Sequence, residues 1–214
     1  MVTRRSIGIF GGTFDPVHSG HIAIAQDFQR LLQLDDMRLV PCRLPPHRDA
    51  PSANDADRLA MLKLACANTT LTVDDRELQR EGLSYTIDTL ASLRAELGHD
   101  CALVLCLGSD AFAKLDTWHR WQMLVNLAHI AVATRANCLP ALNPAVCDVL
   151  AQRQTHDASE LKKSAGGRIY LAQLSQIPVS STQVRQELAA HRNSRDLSPD
   201  VLHYIQQRGL YPSR

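Results

Sequence analysis

The stretch Gly8-Ile9-Phe10-Gly11-Gly12-Thr13-Phe14-Asp15-Pro16-Val17-His18-Ser19-Gly20-His21-Ile22 constrains this chain more than any other. Ile7, Ile9 and Phe10 form a short apolar run that predicts a buried strand, and Gly11-Gly12 lets the backbone turn sharply with no Cβ in the way. His18 and His21 then follow with Gly20 between them, so a helix beginning near Ser19 puts both imidazoles around its first turn. Unpaired N–H groups and the positive end of the helix dipole favour an anion there. The stretch has neither the Gly-Lys-Ser/Thr of a P-loop nor the three-glycine dinucleotide spacing. A phosphate would be held by backbone amides and histidines instead of a P-loop lysine. The bland alternative is a plain glycine turn with two surface or capping histidines; the paired spacing after a strand and a glycine turn argues against it.

At 214 residues the chain has room for one α/β domain with a well-buried core. Its 23 basic and 22 acidic residues leave a formal net charge of +1, which gives no global reason to expect nucleic acid or an anionic membrane as partner. Any anion binding is therefore local. Cys42, Cys66, Cys101, Cys106, Cys138 and Cys147 form no C-x-x-C pair, and several sit in apolar runs where a free thiol packs as a small hydrophobe. Reduced thiols, no secretion signal and no apolar run of bilayer length predict a soluble, cytoplasmic protein.

Strand and helix patterns alternate from end to end. Ala25, Phe28, Leu31 and Leu32 recur at helical spacing, residues 37–40 read as a strand, and the proline-rich run at 41–48 reads as a loop carrying Arg43, His47 and Arg48. Residues 55–68 form a helix pattern and 71–73 a short strand; the charged connection 74–82 reads as a solvated face. Thr86 is the expected N-cap of a helix carrying Ile87, Leu90, Leu93 and Leu97, stopped by Gly98. Residues 101–107 are apolar throughout, as for a parallel strand covered on both faces, and end at Gly108-Ser109-Asp110. An acid at such a strand end suits ribose hydroxyls, although Asp110 alternatively caps a helix carrying Phe112, Leu115, Trp118, Trp121, Leu124 and Val125. Residues 130–133 form another strand, ending at Thr134-Arg135, and Asn143-Pro144 opens a helix. Residues 152–167 read as loop and 168–172 as strand. Ser180 with Gln183 fits a capping box, leaving spare hydroxyls and Arg185 one turn in, a helix start that suits phosphate. Ser198-Pro199-Asp200 opens the last helix, which ends at Gly209. The alternation predicts a doubly wound, Rossmann-like parallel sheet with helices on both faces, its ligand beyond the carboxyl ends of the strands at the switch point.

The residues from Gly11 to His21, together with Ser180-Ser181-Thr182-Gln183-Val184-Arg185, resemble the bacterial nicotinate mononucleotide adenylyltransferases of the T/H-x-G-H nucleotidyltransferase superfamily. The resemblance extends to Pro45-Pro46-His47, Asp75-Arg76-Glu77, Arg80, Gly108-Ser109-Asp110 and Trp118, and Ser84-Tyr85-Thr86-Ile87-Asp88-Thr89-Leu90 narrows it to this branch. Arg48 stands where the family usually has lysine, which keeps the charge and changes the hydrogen-bond geometry.

The resemblance implies transfer of AMP from ATP to nicotinate mononucleotide, giving nicotinate adenine dinucleotide and pyrophosphate. It implies direct attack without a covalent enzyme intermediate, with Mg²⁺ carried on the ATP phosphates and no protein metal ligands. It makes His18, His21 and Arg185 the catalytic set. Gly11, Gly12, Thr13, Phe14, Gly108, Asp110, Ser181 and Thr182 join them around ATP. It places Gly12, His47, Arg48, Thr86, Trp118 and Arg135 around the mononucleotide, with Thr86 offering backbone amides and Trp118 stacking on the ring. One nucleotidyltransferase domain spans 1–214, and the part from about 177 completes the ATP site. Two rival classes stand beside this reading. One is a sister enzyme adenylylating nicotinamide mononucleotide or another phosphate acceptor. The other is a non-catalytic nucleotide-binding regulator, or a zinc site on His18 and His21, for which no third ligand lies at a familiar spacing. Oligomeric state, including a homo-oligomer, is left open.

Overall fold

Parallel strands covered on both faces need apolar side chains at nearly every position, and the order of such segments along the chain sets the sheet. In the computed structural model, which describes residues 4–46, 50–134, 140–174 and 178–212, the strands are β1 (Arg5–Gly12), β2 (Asp36–Pro41), β3 (Thr72–Val73), β4 (Cys101–Gly108), β5 (His129–Thr134), β6 (Gln154–Thr155) and β7 (Ile169–Gln173). The helices are α1 (Ser19–Leu31), α2 (Asp55–Cys66), α3 (Thr86–Leu97), α4 (Ser109–Ala113), α5 (Trp121–Leu127), α6 (Pro144–Arg153), α7 (Ser181–Ala189) and α8 (Pro199–Arg208). All seven strands pair in parallel in the order β3-β2-β1-β4-β5-β7-β6. The direction of winding reverses between β1 and β4, which makes their carboxyl ends the switch-point crevice.

The two faces of β4 show why it is apolar throughout. Val104 and Cys106 join Phe28 of α1, Met61 and Leu62 of α2, Val184 of α7 and Ile205 of α8 in one core. Leu103, Leu105 and Leu107 join Leu90 and Leu93 of α3, Phe112 of α4, Leu124 of α5 and Val146 of α6 in the other. The period-2 alternation of a strand thus feeds two helical layers. The N-caps expected at Asn143 and Ser198 are present, and Gly209 ends α8 in the left-handed region at φ 59°.

Several local expectations are corrected. The single helix expected from 109 onward is α4, a 3-10 turn at Leu115–Thr117 and α5, because Trp118 is extended and Arg120 takes φ 50°. Tyr85, not Thr86, is the N-cap of α3, and Thr86 is its first helical residue. The polar run 152–167 contains the end of α6, the short strand β6 and a 3-10 turn at Ala158–Lys162. The charged connection after β3 is not simply solvated. Arg76 bonds Asp74, Ser92 and Glu96, while Glu77 is buried.

Candidate functional site

Near the carboxyl end of β1 the two glycines differ: a Cβ at Gly12 would lie 2.9 Å from the Phe14 ring, whereas Gly11 faces open space. A Cβ added at Gly11 would touch no described residue within 4 Å, and the same holds at Gly108 where β4 ends. Open space at both central strand ends is where a ligand can lie against the backbone.

What surrounds this opening is built by the loop from Gly12 to His18. Cys42 N–H donates to the Gly12 carbonyl at 2.9 Å, and Arg58 Nη1 donates to the Thr13 carbonyl at 2.7 Å. Arg58 is fully buried and paired with Asp55 at 2.6 Å. Phe14 is buried with φ 49°, its ring edge-on to His21 at 5.0 Å, which leaves only its backbone for a ligand. The Asp15 carboxylate accepts from the N–H groups of Ser52 at 2.7 Å and Ala53 at 3.0 Å, and from the Tyr211 hydroxyl at 2.7 Å. Burial, reinforced by the Asp15 charge, pushes the Tyr211 hydroxyl pKa upward, so it remains a donor.

His18 sits at the N-cap of α1 and His21 in its first turn, as the spacing requires. Their rings stack with centroids 3.7 Å apart, and His21 Nδ1 accepts from the His18 backbone N–H at 3.3 Å. Burial pushes the His18 pKa down to about 4, against the opposing pull of Asp196. His18 is therefore neutral near pH 7, which lets a second imidazole stack on it without like-charge repulsion. Its Nδ1 is buried and makes no hydrogen bond with the described residues. Gly20 is required here by space: a Cβ would lie 2.7 Å from Val179 Cγ1 and 3.1 Å from His18 Nδ1.

That contact brings the start of α7 onto the opening loop. Ser180 caps α7 by accepting from Gln183 N–H, whose side chain bonds Glu187 instead of returning to close a capping box. Ser181 donates to the Pro16 carbonyl at 2.9 Å, and Arg185 donates to the Asp15 carbonyl at 2.6 Å and to Thr182 Oγ1 at 3.4 Å. The hydroxyls expected to be spare are therefore largely engaged in clamping α7 to the loop. Ser19 N–H donates to the Asp196 carbonyl at 2.8 Å and completes the clamp. Arg185 keeps donors in hand, since its nearest carboxylate oxygen, on Asp15, is 3.9 Å away.

Gly108 is the N-cap of α4 and Asp110 is exposed in its first turn. On the α3 side, the rings of Tyr85 and His119 lie 4.6 Å apart and join the segments that carry Thr86 and Trp118. Arg43, expected in a basic loop tip, donates to the Arg80 carbonyl at 2.6 Å and pairs with Asp55 at 3.5 Å. His47, Arg48 and Arg135 lie outside the described residues. Sequence reasoning missed Arg58, Tyr211, His119 and the anchoring role of Asp15. Of these only Asp15 carried a signal, its place inside the opening stretch. Among the described residues no group of three or more His, Cys, Asp or Glu side chains is placed to hold a metal ion, and no helix is long and apolar enough to cross a membrane.

Comparison with known proteins shows which family and fold the chain shares. Residues 9–187 match the cytidylyltransferase-like family model. The chain is 46% identical over 211 residues to a Cellvibrio japonicus protein named "Probable nicotinate-nucleotide adenylyltransferase", covering 97% of this chain and 99% of that protein. It is 49% identical over 209 residues to a protein of the same name from Pseudomonas syringae pv. tomato, covering 97% and 94%. Its fold is similar to that of the Plasmodium falciparum nicotinic acid mononucleotide adenylyltransferase complexed with NaAD, with TM-score 0.73, 18% identity and 97% of each chain covered.

Proposed function

The chain belongs to the nicotinate-nucleotide adenylyltransferases of the cytidylyltransferase-like family, and on that premise we propose that it transfers AMP from ATP to nicotinate mononucleotide in NAD biosynthesis. The products are nicotinate adenine dinucleotide and pyrophosphate. The observation that carries the reading is the clamp of two helix starts, α1 with His18 and His21 and α7 with Arg185, on the loop that follows the open Gly11 position of β1. Two positive dipole ends and a guanidinium converging on one opening suit a triphosphate.

The acceptor phosphate is already a competent nucleophile. Its oxygen forms a bond to the α-phosphorus of ATP as the bridging bond to the β-phosphate breaks, and pyrophosphate departs with the electron pair. Such a transfer needs positioning and charge stabilisation, and no protein nucleophile. His21 stabilises charge developing on the α-phosphate, and neutral His18 holds the His21 ring in place by stacking. Arg185, with Ser181 and Thr182, meets the β and γ groups, while the Gly11 to Phe14 backbone lies along the nucleotide. Gly108 and Asp110 take the adenosine ribose. The part of the chain from about 177 thus completes the ATP half. Enzymes of this kind typically use a divalent metal. Mg²⁺, carried by ATP and not by protein ligands, would supply positive charge beside Arg185, Ser181 and Thr182 for the leaving pyrophosphate.

On the acceptor side, the Thr86 backbone receives the nicotinate carboxylate and Trp118 stacks on the ring, beside Gly12. His47, Arg48 and Arg135 meet the acceptor phosphate by their resemblance to the family pattern. A cytoplasmic location suits the reduced thiols of Cys66, Cys101, Cys106 and Cys147. The test is product analysis. Incubation with ATP, Mg²⁺ and nicotinate mononucleotide yields nicotinate adenine dinucleotide and pyrophosphate in equal amounts; ATP binding with no dinucleotide would indicate a regulator.

A further inference from the structure

Glu77 lies between β3 and α3, inside a run of charges, yet its residue is only 8% exposed. Taking a carboxylate out of water is unfavourable unless other groups bond to it, and burial pushes the Glu77 pKa upward. Its partners are specific. Thr89 Oγ1 donates to Glu77 Oε1 at 2.6 Å, and the Ser84 hydroxyl opposes the upward shift. Arg80 donates to the same Thr89 oxygen and attracts the Glu77 carboxylate electrostatically. The neighbouring Arg76 serves a different purpose, bonding Asp74, Ser92 and Glu96 at the surface.

The two hydroxyls belong to segments that frame the acceptor half of the site. Thr89 lies one turn into α3 from Thr86. Ser84 leads into that helix and is laced to the loop after β2: its Oγ accepts from Arg43 N–H at 3.0 Å, and its own N–H donates to the Leu44 carbonyl at 2.9 Å. The Arg43 guanidinium closes the circuit on the Arg80 carbonyl at 2.6 Å. One buried carboxylate therefore sets the first turn of α3 against the loop that leads toward His47 and Arg48.

We propose that Glu77 is a positioning residue for the mononucleotide: through Thr89 and Ser84 it fixes the Thr86 backbone and the 43–46 loop at the spacing the acceptor needs. It touches neither substrate, and it acts on one half of the reaction only. The proposal rests on the adenylyl-transfer reading above.

The experiment measures KM for ATP and for nicotinate mononucleotide separately, with thermal unfolding alongside. E77Q keeps the volume but loses the charge and one acceptor. It should raise KM for the mononucleotide roughly tenfold, as expected for a bond to a buried charged group. KM for ATP and kcat at saturating acceptor should stay within about twofold. T89V should do the same and carries the test if E77Q does not fold, and E77Q/T89V should be no worse than either alone. Arg76→Gln, in the same charged run, should leave acceptor KM unchanged. Equal losses toward both substrates would show a merely structural role and overturn the proposal. Active wild type with an unchanged acceptor KM in E77Q overturns it alone. Wild type that makes no dinucleotide overturns the proposed function and this proposal with it.

Discussion

The Arg185 guanidinium donates to the backbone carbonyl of Asp15 at 2.6 Å across 170 residues of sequence. A guanidinium has five N–H donors, so one carbonyl leaves most of them for an anion at the mouth of the site. Arg185→Ala should raise KM for ATP about tenfold or more, the scale of a lost charge-assisted phosphate contact, with acceptor KM little changed. Steady-state kinetics in both substrates checks this. A change confined to acceptor affinity would place Arg185 on the wrong substrate.

His21 packs between the stacked His18 ring and the Phe14 ring in an edge-to-face pair, with ring centroids 3.7 and 5.0 Å away, so its orientation is set before any substrate arrives. Losing one preorganised donor typically lowers turnover on the order of a hundredfold. His21→Ala should therefore fold, as judged by circular dichroism and Tm, and lose about that much kcat. A folded variant with near-normal turnover would remove His21 from the transition state.

Two glycines of the opening stretch should respond in opposite ways. At Gly20 a methyl lies 2.7 Å from Val179 Cγ1, so Gly20→Ala should cost roughly 1–3 kcal/mol of stability by overpacking. At Gly11 a methyl meets none of the described residues, so Gly11→Ala should leave Tm unchanged and raise KM for ATP. A stable Gly20→Ala would contradict the close approach of α7. An unaltered ATP requirement in Gly11→Ala would show that the open space is not used by the nucleotide.

The His18 pKa, lowered to about 4 by burial against the opposing pull of Asp196, also has a sign that can be checked. The unfolded chain takes up a proton near pH 6.5 and the folded chain does so only near 4. Between those values the unfolded state binds more protons, and stability falls as pH falls. The loss reaches at most about 3 kcal/mol by pH 4, below which both states are protonated. Unfolding midpoints across pH 7 to 4 should therefore drop more steeply in wild type than in His18→Gln. Buried His129, also shifted downward by burial, contributes equally to both and cancels in the comparison. Parallel profiles would show that His18 is not held neutral.

The parts legible in the sequence were those decided locally. β4 announced itself because both of its faces are buried, and the caps at Asn143 and Ser198 followed from residue type alone. The imidazole pair was likewise readable, since three-residue spacing after a glycine turn leaves little choice. The clamp was not, because Ser181 on Pro16, Arg185 on Asp15 and Tyr211 on Asp15 join segments far apart in the chain. The break before α5 was hidden for another reason: Arg120 at φ 50° carries no glycine or proline to mark it, and apolar spacing runs straight across. Glu77 and Arg58 are charges that burial has recruited, and composition points such residues outward.

Pyrophosphate release from ATP and Mg²⁺, measured with nicotinate mononucleotide, nicotinamide mononucleotide and phosphopantetheine in turn, tests the central claim most directly. Adenylyl transfer to the nicotinate acceptor predicts fast release with nicotinate mononucleotide, a lower kcat/KM with its amide and none with phosphopantetheine. Faster release with either of the other two acceptors, or no release with any of them, would contradict it.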